Sequence, residues 1–227
     1  MPASEPTRRV ELFGGAVSAS FPTRYHDVSD FRPVPDNQEA WTDASADESV
    51  IVEIVERVER DPMTGDGPSD EEGAAAWFWR DLADVNDASV SSGASELVGV
   101  TKLAREDDVP VGVRASTSIT NSTEDVDARN DVSVSVARGT QRVAKGRDGD
   151  DARNDVFVVL ACVRLPRVAS DVLVTLNRPL AIAAGSQTTP QTGSGAVADA
   201  AAVKTVAEET LRGILSSLAI EDWGLFG

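Results

Sequence analysis

The chain has 227 residues, 41% hydrophobic and 26% charged, a composition that suits a folded protein with one sizeable core or at most two small domains. Acids outnumber bases 38 to 21, for a formal net charge of -17, so phosphate backbones repel it and nucleic-acid binding is disfavoured. Cys162 is the only cysteine, which excludes an internal disulfide, and no apolar run approaches membrane-spanning length.

The N-terminus, MPASEPTRRVELFGG, has no apolar signal core, so the expectation is a protein of the nucleus and the cytoplasm. Leu12–Phe21, apolar after Gly14-Gly15, is predicted as the first strand. Asp27–Glu39 follows, reading DVSDFRPVPDNQE. Each proline pushes the preceding residue, Arg32 or Val34, out of the α region, and neither Pro33 nor Pro35 has an N–H to offer a sheet. The segment reads as a stiff edge or loop holding Asp30, Asp36 and Glu39 in set directions. It reads equally as a structural turn into a strand at Gln38–Trp41.

Ser49–Arg57, SVIVEIVER, is rich in β-branched residues and is predicted as a strand. Glu53 and Glu56 would then point to opposite faces, whereas a helix would put them on one. Asp61–Ser69 is a Pro/Gly/Asp loop, and Asp70-Glu71-Glu72 opens a helix whose dipole favours acids. Ala75, Phe78, Trp79, Leu82 and Val85 recur at helical spacing and form its core-facing stripe. Trp77 and Trp79 are read as packing residues.

Residues 86–130 are polar, with one strand-like run, Glu96–Leu103, and an acidic loop at Arg105–Val109. The hexamer DARNDV occurs at Asp127–Val132 and Asp151–Val156, each copy leading into a strand-like run, Val132–Ala137 or Val156–Leu165. Two copies are too few for a solenoid. Ser170–Asn177 alternates as a strand and is expected to stop at Arg178-Pro179. After a Gly/Ser/Thr/Gln-rich loop, Val203, Val206, Ala207, Leu211, Ile214, Leu215 and Leu218 mark an amphipathic helix over Val197–Leu218. Trp223, Leu225 and Phe226 close the chain against the body. Many strands with helices early and late predict an α+β protein with a largely antiparallel sheet.

Motifs for chemistry are sparse. There is no G-x-x-x-x-G-K-[ST]. Gly193–Ala198 fits G-x-G-x-x-A, but no strand feeds it, which argues against a dinucleotide site. His26 is the only histidine; a Cys162–His26 pair is arithmetically allowed, with nothing local to activate the thiol. No zinc spacing occurs, so neither metal nor cofactor is expected. The acidic surface would favour a basic partner, although acidity also serves solubility alone.

Six segments together resemble the Ran guanine nucleotide release factor family. They are LFGGAVSASFP (12–22), DVSDFRPVPDNQE (27–39), DESVIVEIVE (47–56), WFWRDLADVN (77–86), GTQRVAK (139–145) and VRLPRVASDVLVTLNRP (163–179). Their order matches and they span most of the chain. The resemblance departs at Trp77–Asp81, where the family carries a His-Phe or His-Val pair before Glu-Asp; Asp81 is retained. It implies a PsbP-like α/β/α sandwich, an antiparallel sheet between helices, as a single domain over 1–227 with surface insertions near 91–136 and 146–154. It also implies a non-catalytic, monomeric regulator that binds the GTPase Ran and promotes nucleotide release for nuclear import. Partner-binding residues carry over to Asp36, Glu39, Glu53 and Glu56, beside Asp30 of the same stiff segment. A PsbP-like accessory or scaffold of a different complex is the alternative.

Overall fold

The computed structural model describes residues 5–69, 73–103, 113, 132–144, 152–184, 186 and 195–227. In chain order, the strands are Thr7–Leu12 (β1), Val17–Pro22 (β2), His26–Asp27 (β3), Gln38–Asp43 (β4), Glu48–Glu56 (β5), Ser95–Leu103 (β6), Ser133–Ala144 (β7), Arg153–Leu165 (β8), Ser170–Ile182 (β9), Gly195–Ala196 (β10) and Ala219–Ile220 (β11). The helices are Ala74–Val85 (α1) and Ala200–Ser217 (α2). An antiparallel sheet runs in the order β3-β4-β5-β9-β8-β7-β6, with β10 paired to the end of β9. A smaller sheet, β1-β2-β11, stands apart from it. This is an α+β fold with α1 and α2 on opposite faces of the main sheet.

Alternation decides which face each side chain joins. Val50 and Val52 of β5, Val159, Ala161 and Val163 of β8, and Val172, Val174 and Leu176 of β9 share one face, with Leu211 and Ile214 of α2 and Phe21 of the hairpin. Val158, Leu160, Cys162 and Leu173 look the other way, toward Phe78, Trp79 and Ala83 of α1. The first cluster is the larger core; the second is narrower because α1 lies mainly over β6, β7 and β8.

Several expected elements change. The single first strand is a hairpin turning through Phe13–Gly15, where Phe13, Gly14 and Gly15 all have positive φ. This conformation suits the two glycines. β9 runs through Pro179 to Ile182 instead of stopping at Arg178-Pro179. Its ladder with β8 shifts register at Asp155/Val156, where Pro179 sits opposite Val156, and a bulge is where a strand tolerates proline. The second DARNDV copy does not precede a strand: Arg153–Val156 opens β8.

The buried stripe of α1 is also rotated. Ala75, Trp79 and Ala83, at i, i+4 and i+8, are fully buried together with Ala76, while Val85 is 74% exposed. The cause is Gly139 of β7, whose missing side chain makes room for the Trp79 ring. Val206 of α2 is likewise exposed, whereas Trp223 and Phe226 pack on the larger core as expected. The helix opening at residues 70–72, the acidic loop 105–109, the first DARNDV copy up to residue 131, and most of both expected insertions lie outside the described residues.

Candidate functional site

Because α1 covers only half of its face, the β4-β5-β9 end of that face opens into a cleft of about 600 Å³. Its floor is Ile51, Val158, Thr175 and Asn177; Leu82 and Asn86 of α1 form one wall, and Val28 and Phe31 of the β3–β4 connection the other. A volume of this size is typical of ligand and side-chain pockets.

The wall bearing Phe31 is built from short turns. Asp27 Oδ1 accepts the Ser29 N–H at 2.8 Å, and the Phe31 and Arg32 N–H groups both donate to the Val28 carbonyl, at 3.0 and 3.1 Å. Beyond Pro33 and Pro35, the Gln38 N–H closes a second turn on the Pro35 carbonyl at 2.9 Å. The stretch DVSDFRPVPDNQE is thus a connection pinned at both ends. It leaves Phe31 78% exposed beside the cleft.

The five acids singled out in the sequence do not form one patch. Glu53 lines the cleft, where its Oε1 accepts from Gln38 Nε2 at 2.8 Å and Asn37 Nδ2 at 3.3 Å. Asp30 and Asp36 are exposed on the connection beside it. Glu56 is exposed at the end of β5, three residues from Glu53 and so on the opposite side of the strand. Glu39 also faces away from the cleft: its Oε1 accepts the Phe13 N–H at 2.6 Å, tying β4 to the hairpin turn. Burial raises the pKa of Glu39, against the lowering effect of that bond, and Asp27 raises it further.

A second polar cluster lies under the larger core. Glu48, 1% exposed, accepts from the Tyr25 hydroxyl, from Arg24 Nη2 at 2.6 Å and from Arg178 Nη1 at 2.8 Å. Arg24 also meets Asp43 at 3.2 Å and pairs with Glu5. Burial, reinforced by Glu48, pushes the Tyr25 phenol far above its usual range. Both Glu48 oxygens are satisfied within the fold, so the cluster reads as an internal tie.

The remaining chemical candidates dissolve. Cys162 is buried on the α1 face of β8, and burial pushes its pKa well up. His26 is on β3, four strand spacings away in the sheet order, roughly 19 Å. Gly195 and Ala196, the described part of the G-x-G-x-x-A stretch with Val197 and Ala198, fold back antiparallel on β9. The helix after them is capped by Asp199, which accepts the Ala202 N–H at 2.9 Å and puts negative charge where a phosphate would sit. Among the described residues no group of acids, histidines or cysteine could hold a metal ion.

Sequence reading missed Phe31, Asn86, Gln141, Thr175 and Asn177 as cleft residues. Thr175 and Asn177 carried a faint signal: they are the polar positions of β9, SDVLVTLN, on the face that α1 leaves bare.

The family model for the Ran-interacting Mog1 protein matches residues 10–179. The chain is 29% identical over 216 residues to the Ran guanine nucleotide release factor of Danio rerio, spanning 95% of this chain and 98% of that one. It is 33% identical over 175 residues to the Homo sapiens protein of the same name, 77% of each, and 27% identical over 219 residues to the nuclear import protein mog1 of Schizosaccharomyces pombe, 96% and 99%. The crystal structure of the Saccharomyces cerevisiae Ran-binding protein Mog1p matches with a TM-score of 0.60 at 19% identity, covering 99% of this chain and all of that one. At that identity the likeness is one of fold.

Proposed function

The chain belongs to the Ran-interacting Mog1 family, and on that premise we propose that it binds the small GTPase Ran and promotes release of its guanine nucleotide in support of nuclear import. Membership over residues 10–179, with relatives named as Ran guanine nucleotide release factors, is the observation that carries this reading. The protein acts without catalysing a covalent step, as one folded unit and as a monomer, in the nucleus and the cytoplasm. Its net charge of -17 keeps it from nucleic acid and speeds encounter with basic protein surfaces.

Glu53, Asp30 and Asp36 make the contact around the cleft, with Glu56 at its margin, while Glu39 acts indirectly by fixing β4 against the hairpin turn. A GTPase retains nucleotide through a Mg²⁺ ion, a lysine and backbone amides around the phosphates. A carboxylate already ordered by Gln38 and Asn37 can draw that lysine, or stabilise an opened switch segment, at little ordering cost. Nucleotide retention then weakens with no proton transfer.

The test is release of a fluorescent guanine nucleotide from Ran with and without the chain. Wild type accelerates release; Glu53→Lys and Asp36→Lys reduce the acceleration, and Glu56→Lys reduces it less. Unchanged release together with no complex at low salt overturns the proposal. Binding that survives all three lysine substitutions overturns the choice of site while leaving the partner in place.

A further inference from the structure

We propose that a second recess, at the N-terminal end of α1, binds the phosphoryl group of a phosphate monoester. The inference is independent of the Ran reading: no described residue lines both this recess and the cleft.

The recess, about 370 Å³, forms where strand ends meet the start of α1. Arg57 follows β5, Lys102 and Arg164 stand one residue from the ends of β6 and β8, and Ser133 and Ser135 open β7. Three cations and no carboxylate are among its described lining residues, in a chain where acids outnumber bases 38 to 21. A recess with only basic charge attracts an anion.

The fold uses some of these donors and leaves others over. Arg164 is tied, its Nε donating to Asp171 at 3.1 Å and its Nη2 to the Val58 carbonyl, and Arg57 meets Glu59 at 2.6 Å. Lys102, which is exposed, has no acidic partner among the described residues. Ser135 is 5% exposed; its Oγ accepts the Ala75 N–H at 3.0 Å, while its own O–H has no acceptor among the described residues. The start of α1 is also incomplete. Its N-cap is Gly73, which offers no side chain to the helix, and the N–H of Ala74, a residue 2% exposed, has no acceptor among the described residues. A buried helix start without a cap needs an outside acceptor, and the helix dipole favours a negative one.

Gly73 brings these donors together. Its φ is +77°, and a Cβ there would lie 2.9 Å from Ser135 Cβ and 3.6 Å from Lys102 Cε. An ammonium, a hydroxyl and a backbone amide then border one space. A phosphate monoester offers three terminal oxygens to such a set, one more than a carboxylate, and the volume leaves room for its ester stem.

The experiment titrates the full chain with inorganic phosphate, and with a serine peptide in phosphorylated and unphosphorylated forms, by calorimetry. Lys102→Gln is expected to weaken phosphate binding about 10-fold and Lys102→Arg to preserve it. Arg212→Gln, an equal loss of charge at an exposed residue of α2, leaves it unchanged. In an amide NMR titration the Ala74 N–H should move downfield with the same affinity, a readout that needs no variant. Both carriers of the phosphoryl group support the inference: tighter binding of the phosphopeptide than of phosphate makes the carrier a peptide, and equal affinity makes it a small phosphate. No binding of either at ~10 mM, binding unaffected by Lys102→Gln, or an unmoved Ala74 amide overturns it. So does binding that appears only in the triple variant Asp70→Asn, Glu71→Gln, Glu72→Gln, which would mean the chain's own carboxylates occupy the recess. Nucleotide release from Ran depends on other residues, so failure here leaves that reading standing.

Discussion

Substituting Gly139→Ala should be among the most damaging single-atom additions in this protein. A Cβ there would lie 2.2 Å from the Glu96 carbonyl oxygen, 2.5 Å from Trp79 Cζ2 and 3.0 Å from Leu97 Cα. Two of these are backbone atoms of β6, locked in register with β7 through Leu97 opposite Gly139. The third belongs to a fully buried indole whose Nε1 donates to the Val158 carbonyl at 3.2 Å. No flexible chain end can swing aside. Overpacking of a close-fitting core costs ~1–3 kcal/mol and more when backbone must move, so about 3 kcal/mol is expected. In a chain of this size each kcal/mol moves Tm by roughly 2–4 °C, giving a fall of about 6–12 °C. Thermal and urea unfolding followed by far-ultraviolet circular dichroism measure it. Trp79→Phe shortens the ring and relieves one of the three clashes, so the double variant should recover only part of the loss. A Tm within ~1 °C of the parent would refute the reasoning, and with it the argument that Gly139 sets the rotation of α1 and thereby the cleft wall at Leu82 and Asn86.

Tyr25 is the only tyrosine, so tyrosinate absorbance reports it alone. Burial and Glu48 raise its folded pKa, so the stability it contributes is intact below the unfolded value near ~10 and is progressively lost as pH rises beyond it. A tyrosinate signal near pH 10 from protein that is still folded would contradict this. Glu48→Gln should cost about 3 kcal/mol in urea unfolding, because Arg24 and Arg178 keep their partly buried charges without the carboxylate; a loss below ~1 kcal/mol would show that they find other partners. Glu39, raised by burial, contributes stability that is full below the ordinary carboxylate value near ~4.3 and declines as pH rises through its folded value. Glu39→Gln should therefore flatten the mildly acidic part of the pH–stability curve while still accepting the Phe13 N–H, whereas Glu39→Ala orphans that donor and costs ~1–3 kcal/mol. Equal behaviour of the two variants would refute the tie.

Much of the fold was legible because local periodicity carries it. The β-branched content of SVIVEIVE predicts a strand, which would put Glu53 and Glu56 on opposite sides, and β5 has that geometry. Helical spacing found both helices, since an apolar stripe at 3.6 residues has no other use in a packed layer. The errors fall where a distant residue overrides a local rule. Pro179 looked like a strand end until the bulge opposite Val156 accommodated it. The α1 stripe was expected to run from Ala75, Phe78 and Trp79 on through Leu82 and Val85, but with Trp79 packed against Gly139, sixty residues downstream, it continues through Ala83 and leaves Val85 exposed.

The candidate site divides along the same line. The residue order in DVSDFRPVPDNQE is enough to make a proline-stiffened, acidic connection, because dihedral restriction and turn bonding act within a few residues. Its partners are non-local. Placing β9 between β5 and β8 sets Thr175 opposite Ile51 and Asn177 opposite Ser49, on the cleft that Glu53 also lines, and the limited reach of α1 leaves that half of the sheet open. The local sequence thus set which acids are held rigidly. Strand order and helix coverage, decided by the burial of whole faces, sent Glu39 to the hairpin and left Glu53 at a cleft with Phe31 above it.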